Sequence, residues 1–286
     1  MHSDLDADRM DYLIRDSHYT GLKYGQFDRD FILANLETFR IPSGSGKGKT
    51  GFGVSEDALH AVEDFLISRF NWYSQVIRNP ESAKYDVVAT HLAKAFLEKN
   101  LIYHFDDLLS MIENRGERFF WWNDVYFINR CQEIRYNQLI RDPKVEEMIE
   151  MLIYRKSAKI IRHPSLERRM IPADRGNSER KKVLKSAKDL IQKFENAIDQ
   201  SSKKTEVLIA DIPDKTVVFT SAGKSAKTDL SDRDAIKIIS KEGTPSLLTD
   251  MNDSLMKHLS GLSHFIPNVY GNESALKLFH SKKLLQ

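Results

Sequence analysis

The stretch LDADRMDYLIRDS, residues 5–17, decides how this chain is interpreted, because it places four carboxylates, two arginines and a tyrosine in about three helical turns. At roughly 100° per residue, Met10, Leu13 and Ile14 share one face of such a helix. The opposite face carries polar side chains, which are Asp8, Asp11, Tyr12, Arg15 and Tyr19. The pattern predicts an amphipathic helix with one packed side. Spacing alone leaves two interpretations of the other side open, a chemical site or a solvated face with an Asp11–Arg15 ion pair.

The run D-x-D-R-x-D-Y-x-x-R-D-S of residues 6–17, continued by YTGLKYG at residues 19–25, closely resembles the last conserved segment of the HD-domain phosphohydrolases. These are the dGTPase-like enzymes and the SAM- and HD-domain deoxynucleoside triphosphate hydrolases. The resemblance implies metal-assisted hydrolysis of a deoxynucleoside triphosphate. It implies that Asp8 is the catalytic metal ligand, that Arg9 and Tyr12 contact the phosphates, and that Asp16 supports the ligand or lies on the sugar side. Asp6 and Asp11 are expected to cap the helix or to pair within it.

The other metal ligands of that family are an upstream His and an upstream His-Asp pair, and none of the nine histidines here is followed by Asp. His104 has acidic residues two and three positions later, but it lies downstream of Asp8, in the wrong order for the family. We therefore expect the chain to correspond to the C-terminal two-thirds of such an enzyme. Because sites of this kind normally need three or four protein ligands, we expect no tightly bound ion on this chain alone. The sequence does not distinguish Mn, Fe, Mg and Zn as the divalent metal ion of the parent family.

A second segment resembles a family helix in which an Arg is followed eight residues later by a Tyr and then by His-Lys. Arg69 matches the Arg, which contacts substrate phosphate in the family. Ile77 stands in place of the Tyr, and Asn79 and Pro80 stand in place of His-Lys. These differences remove phosphate-binding groups. An ion pair between helices is the alternative interpretation of Arg69.

The sequence from Arg155 to Lys159 is similar to an R-x-x-x-K step that contributes to a regulatory nucleotide site in some relatives. The resemblance therefore implies that Arg155 and Lys159 bind a regulatory nucleotide. They begin a basic segment, residues 155–188, that holds twelve Lys or Arg against three acidic residues, an excess of nine positive charges. Such a segment can attract nucleotides or nucleic acid, or it can be the solvated side of a helix.

Hydrophobic periodicity predicts a mainly α-helical protein, an HD-domain-like helical bundle remnant with a small C-terminal α+β lobe. We expect residues 1–165 to form the C-terminal part of an HD-type helical domain and residues 166–286 to form the lobe. The expected lobe contains an amphipathic helix over 178–198, a short antiparallel sheet and a last helix. The sheet strands are expected at 207–210, 216–220 and 235–240, and the last helix at 246–259.

Residues 44–50, GSGKGKT, end like a phosphate-binding P-loop but have Ser43 where that motif requires Gly, so a flexible loop before Ser55 is expected. The single cysteine, Cys131, falls in an apolar helical pattern and is expected to be buried. No membrane span or secretory leader is visible, which favours a cytoplasmic protein. Apolar faces on the helices with Leu13, Ile14, Phe65 and Phe70 are expected to remain exposed and to favour self-association.

Three functions follow from these features. The first is a fragment or split subunit of a dNTP triphosphohydrolase-like enzyme, inactive on its own, that acts on a deoxynucleotide. The second is a non-catalytic nucleotide-binding or regulatory partner, as a homo-oligomer or in a complex with an HD-containing chain. The third is a nucleic-acid-binding protein that uses residues 155–188.

Overall fold

The computed structural model describes residues 4–41, 49–156, 158–202, 204–213, 217–220 and 229–285. The helices of this part are α1 (Ala7–Thr20), α2 (Arg29–Ala34), α3 (Leu59–Asn71), α4 (Pro80–Glu98), α5 (Phe105–Glu113), α6 (Asp124–Tyr136), α7 (Pro143–Ile153), α8 (Ser178–Asp199), α9 (Met256–Leu259) and α10 (Glu273–Ser281). The strands are β1 (Leu36–Ile41), β2 (Lys49–Ser55), β3 (Lys159–Ile160), β4 (Arg169–Pro172), β5 (Leu208–Asp211), β6 (Val217–Val218), β7 (Lys237–Ile239), β8 (Pro245–Leu247), β9 (Leu262–Phe265) and β10 (Asn268–Gly271). The protein is mainly α-helical with small sheets, which confirms the expected fold class.

Two compact units divide the chain, and each is assembled from three separate segments. Unit 1 comprises residues 1–79, 168–185 and 213–266, and unit 2 comprises residues 80–167, 186–212 and 267–286. The expected domain boundary between residues 165 and 166 stays a prediction.

Unit 1 is organised around α3, whose apolar side packs into the core of this unit. Phe65 and Leu66 are fully buried, and Leu13 of α1 joins the same core cluster. Two sheets belong to this unit, with strand orders β1-β2-β7-β8 and β4-β9-β6. All described pairings in these two sheets are antiparallel except that of β2 with β7. The core of unit 1 therefore fixes α1 and α3, the two helices that carry the candidate site.

Unit 2 is built from helices α4 to α7 with a three-stranded sheet in the order β3-β10-β5. Its core contains Leu92, Phe96, Ile149 and the side chain of Cys131, all buried. Burial raises the pKa of the Cys131 thiol to about 12, so this cysteine is a packing residue, as the sequence predicted. None of the helices in the described part of the chain is both long and apolar enough to cross a membrane.

Two expectations about the C-terminal lobe are wrong, those of a single sheet and of a helix over 246–259. The predicted strands at 207–210, 216–220 and 235–240 correspond to β5, β6 and β7, but these strands lie in three different sheets. Their hydrogen-bonding partners are distant in sequence, as in the pairing of Ala210 with Val269. The segment 246–259 is α-helical only over its last four residues, which form α9, because Ser246 and Leu247 belong to β8 and Leu248–Asp250 form a 3-10 turn.

The expected loop before Ser55 is also wrong where the structure describes it. Residues 49–55 form β2, which pairs with β1 in a hairpin, while residues 44–48 of the P-loop-like stretch lie outside the described residues. Gly51 has a packing role, because a Cβ atom there would lie 2.6 Å from the Phe39 ring. This glycine makes room for an aromatic side chain on the neighbouring strand.

The expected exposed apolar faces on the helices of Leu13 and Phe65 are not found, because both side chains are fully buried and Ile14 and Phe70 are partly buried. The core of unit 1 covers these faces with residues from later in the chain, among them Phe219 and Ile236.

Candidate functional site

The local sequence of α1 explains both of its ends. Asp6 is the N-cap, and its side chain accepts a hydrogen bond of 2.8 Å from the Arg9 backbone N–H. Gly21 ends the helix with a φ of +70°, a left-handed conformation that glycine adopts without a steric penalty. A Cβ atom at Gly25 would lie 2.2 Å from the Leu13 carbonyl oxygen. Both glycines of the YTGLKYG segment are therefore required by the backbone.

The acidic residues of α1 have separate environments. Asp8 is exposed in the first turn. Asp11 forms an ion pair with Arg15, and Arg15 Nε donates to Asp16 at 3.2 Å. The expectation that Asp6 and Asp11 cap or pair within the helix is confirmed.

A buried carboxylate, Asp4, joins α1 to α3. Its Oδ1 atom accepts hydrogen bonds from Arg9 Nη1 at 3.0 Å and from Arg69 Nη1 at 2.9 Å. Its Oδ2 atom accepts a hydrogen bond of 2.6 Å from the Thr220 hydroxyl. Arg69 Nη2 donates to the Phe219 carbonyl at 3.1 Å. We call Asp4, Arg9, Arg69 and Thr220 the Asp4 network.

Tyr12 lies next to this network, and its hydroxyl is buried beside the phenol of Tyr73, one turn beyond Arg69. The pKa of Tyr12 is raised, first by burial and then by Tyr73, while the positive charges of Arg69 and Arg9 oppose the rise. Tyr12 is therefore a neutral phenol that can donate a hydrogen bond to an anion.

The helix that carries Arg69 continues as a π-helical turn over Trp72–Ile77. π-Helical turns are rare and occur often at functional sites. Tyr73 and Ile77 are both exposed on this turn, at 38% and 47% of their surface. The turn thus presents one phenol, Tyr73, close to the phenol of Tyr12.

The structure therefore brings together three of the five α1 and α3 residues that the sequence singles out. Arg9, Tyr12 and Arg69 share one region of unit 1, but the Arg69 guanidinium is engaged in the Asp4 network. The ion-pair interpretation of Arg69 is thus realised, with Asp4 rather than a helix residue as its partner. Contact of these residues with a substrate stays a prediction, as do the roles of Asp8 and Asp16.

The donor set does not fit a protein-held divalent metal ion. In the described part of the chain, no group of three or more His, Cys, Asp or Glu side chains could hold one. Asp8 offers one exposed carboxylate, whereas a transition-metal site on His and carboxylate ligands normally has three or four.

Arg155 and Lys159 lie in unit 2, before and within β3. Both side chains are exposed, and Arg155 has a left-handed φ of +52°. The basic segment to which they belong is shared between the two units. Some of its cations have protein partners: Lys156 pairs with Glu150 at 2.9 Å, and the buried Arg180 donates to Ser263 at 3.1 Å. A regulatory nucleotide or a nucleic acid at this segment stays a prediction.

A second buried carboxylate, that of Glu63 in α3, anchors the turn before α9. Its Oε1 atom accepts hydrogen bonds from the Ser254 hydroxyl at 2.7 Å and the Leu255 N–H at 2.6 Å, while Oε2 lies 3.0 Å from His60 Nδ1. The hydrogen bond to Glu63 is the main cause of a raised pKa of His60, and the negative charge of Glu63 adds to it.

This raised pKa predicts a pH-dependent stability difference between the protein and His60→Gln. Charged His60 contributes its full stabilisation below the pKa of the unfolded chain, 6.5, and the contribution is lost as the pH rises through the folded-state pKa. Urea unfolding should show the protein slightly more stable than His60→Gln at about pH 5.5 and equal to it at about pH 8.5. A difference that grows with pH would contradict the assignment.

Comparison with known proteins gives partial matches. No family model matches the chain. Over 104 residues, 35% of the chain, it is 36% identical to the uncharacterized protein YwfO of Bacillus subtilis. Over 99 residues, 34% of the chain, it is 38% identical to the uncharacterized protein MJ1154 of Methanocaldococcus jannaschii. The matches span 22% and 21% of these relatives' own lengths.

Solved structures match almost the whole chain. A phosphohydrolase from Bacteroides thetaiotaomicron superimposes with a TM-score of 0.51 over 94% of this chain and 61% of that protein, at 18% identity. A hypothetical protein from Aquifex aeolicus gives a TM-score of 0.53 over 98% of this chain and 57% of its own, at 22% identity. The chain therefore shares the fold of these two proteins, and it spans about three-fifths of the length of each.

The residues that the sequence analysis missed are Asp4 and Thr220. They are separated by 216 positions and meet only in the folded chain. Asp4 falls two positions before Asp6, but nothing in its spacing separates it from the other carboxylates of that segment.

Proposed function

We propose that this chain provides the phosphate-binding part of an HD-type phosphohydrolase that acts on a deoxynucleoside triphosphate. Arg9 and Tyr12 would contact the phosphates, and Asp8 would be one ligand of a divalent metal ion. The other ligands would come from a preceding segment or from a separate HD-containing chain. The phosphohydrolase-like fold and the motif of residues 6–17 support this proposal.

The observation that carries the proposal is the clustering of Arg9 and Tyr12 beside Arg69. These residues come from two helices, and the family resemblance assigns all three to phosphate contact. A guanidinium group and a neutral phenol donate hydrogen bonds to phosphate oxygens, and the Tyr12 hydroxyl, buried beside Tyr73, keeps the proton that such a bond needs.

The chain alone should not hydrolyse deoxynucleoside triphosphates. The described residues supply no group of three metal-ligating side chains, and activation of water by the metal is the main source of rate in metal-assisted hydrolysis. Purified chain would be incubated with each dNTP and manganese while triphosphate release is followed. We expect release equal to that of Asp8→Ala. Turnover that disappears in Asp8→Ala would overturn the proposal of an incomplete site.

A further inference from the structure

We propose that Asp4 is a positioning residue for Arg9, and that Arg69 acts together with Asp4 instead of touching the phosphate itself. The inference rests on the proposed function, in which Arg9 contacts phosphate. It assigns a role to Asp4, which lies outside the family-like motif, and changes the role that the family resemblance implies for Arg69.

Burial within the Asp4 network increases from Arg9 to Asp4. The Arg9 side chain is 31% exposed, the Arg69 side chain 8%, and the Asp4 side chain is inaccessible. The Arg69 guanidinium also donates a hydrogen bond from Nη2 to the Phe219 carbonyl oxygen in the interior of unit 1. An anion that approaches from solvent therefore reaches Arg9 before it reaches Arg69.

The shared carboxylate oxygen is what allows the two guanidinium groups to lie together. Two like charges on one oxygen repel each other, and the negative charge of Asp4 between them offsets that repulsion. The contact of Arg9 with Asp6 is longer, at 3.8 Å from Nε to Oδ2, so Asp4 is the closer of these two carboxylates. Asp4 therefore limits where the Arg9 side chain can point.

Asp4 is itself fixed at both its side chain and its backbone. The Thr220 hydroxyl holds Oδ2, and the Asp4 backbone N–H donates to the Asp234 carbonyl at 3.0 Å. A carboxylate fixed in this way orients its partner guanidinium before a ligand arrives, and preorganisation of this kind increases affinity.

The alternative is that Asp4 occupies the place of a phosphate on Arg69 and competes with it. The two interpretations predict opposite effects of Asp4→Asn. A competitor would bind less well after neutralisation, so phosphate affinity would rise. Loss of a positioning residue would lower the affinity, even though removal of a nearby negative charge by itself favours an anion.

The test is a titration of the full chain with inorganic tripolyphosphate, followed by NMR with the side-chain Nε–H signals of the arginines resolved. We expect Arg9→Gln and Asp4→Asn each to weaken binding about tenfold, and Thr220→Val to weaken it by a smaller factor. Arg15→Gln, which changes an exposed arginine of the same helix, should change binding less than about twofold. Nitrogen relaxation should show the Arg9 Nε–H becoming mobile in Asp4→Asn and in Thr220→Val.

The other outcomes of this test separate failure of the inference from failure of the proposed function. Tighter binding in Asp4→Asn would make Asp4 a competitor and overturn the inference. If both Thr220→Val and Asp4→Asn leave tripolyphosphate binding unchanged and Arg9 ordered, the Asp4 network has only a structural role, and the inference is overturned as well. If Asp4→Asn does not fold, Thr220→Val decides, because it leaves every charge in place. If tripolyphosphate does not bind, or if Arg9→Gln does not weaken its binding, the proposed function is overturned and this inference with it.

Discussion

Arg69→Met should lower the free energy of unfolding by about 3 kcal/mol, because it removes one cation from a carboxylate that is completely buried. The methionine keeps most of the apolar stem, so the loss reports mainly the charge and its hydrogen bonds. The Phe219 carbonyl also loses a donor in the interior of unit 1. The measurement is urea unfolding of the purified chain at neutral pH.

The matched control is Arg15→Met on α1. Arg15 pairs with Asp11 and Asp16, but its side chain is 51% exposed, so its removal should change stability by less than about 0.5 kcal/mol. The double variant Asp4→Asn, Arg69→Met should lose less unfolding free energy than the sum of the losses in the two single variants. Each single substitution leaves the charge of the other residue without its partner, whereas the double variant removes both charges. Equal effects of Arg69→Met and Arg15→Met would show that the Asp4 network contributes nothing to stability.

A chimera that adds an N-terminal segment carrying the His and His-Asp ligands should bind about one divalent metal ion per chain, whereas we expect this chain alone to bind none tightly. Asp8 is exposed in the first turn of α1 and can complete a coordination shell. Metal content after dialysis is the measurement. Asp8→Ala in the chimera is the control and should weaken metal binding about tenfold or more. Full metal content in that control would remove Asp8 from the site.

In this chimera, dNTP hydrolysis should be restored less fully than metal binding. Ile77, Asn79 and Pro80 stand where the family has a Tyr and His-Lys, and the structure leaves Ile77 exposed without a polar group. A second chimera would therefore also carry Ile77→Tyr, Asn79→His and Pro80→Lys, and it should turn over dNTPs faster than the first. Equal rates would mean that these differences do not affect phosphate binding.

Local patterns in the sequence predicted the helices well and the sheets poorly, for a physical reason. The 3.6-residue period over 178–198 marks α8, which spans Ser178–Asp199, because one helix face alone creates that pattern. The strands are only two to seven residues long, and their pairing depends on residues far apart, as for Val54 with Ile238. Such pairings leave no local signal.

The candidate site likewise contains residues that a local motif predicts and residues that come together only in the folded chain. Asp8, Arg9 and Tyr12 fall within one short motif, and the caps of α1 at Asp6 and Gly21 follow from local backbone requirements. Asp4 and Thr220 gain their roles only when α1, α3 and the end of β6 meet in the core of unit 1, so composition and spacing could not reveal them. The burial of Arg69 likewise depends on a segment 150 positions later.

Turnover of dGTP by the second chimera, with and without Arg9→Gln, tests the central claim most directly. If Arg9 and its neighbours form the phosphate-binding part of a phosphohydrolase, the metal-loaded chimera should release triphosphate. Arg9→Gln should then reduce kcat/KM about tenfold or more without changing the metal content. A metal-loaded chimera whose turnover does not depend on Arg9 would contradict the account.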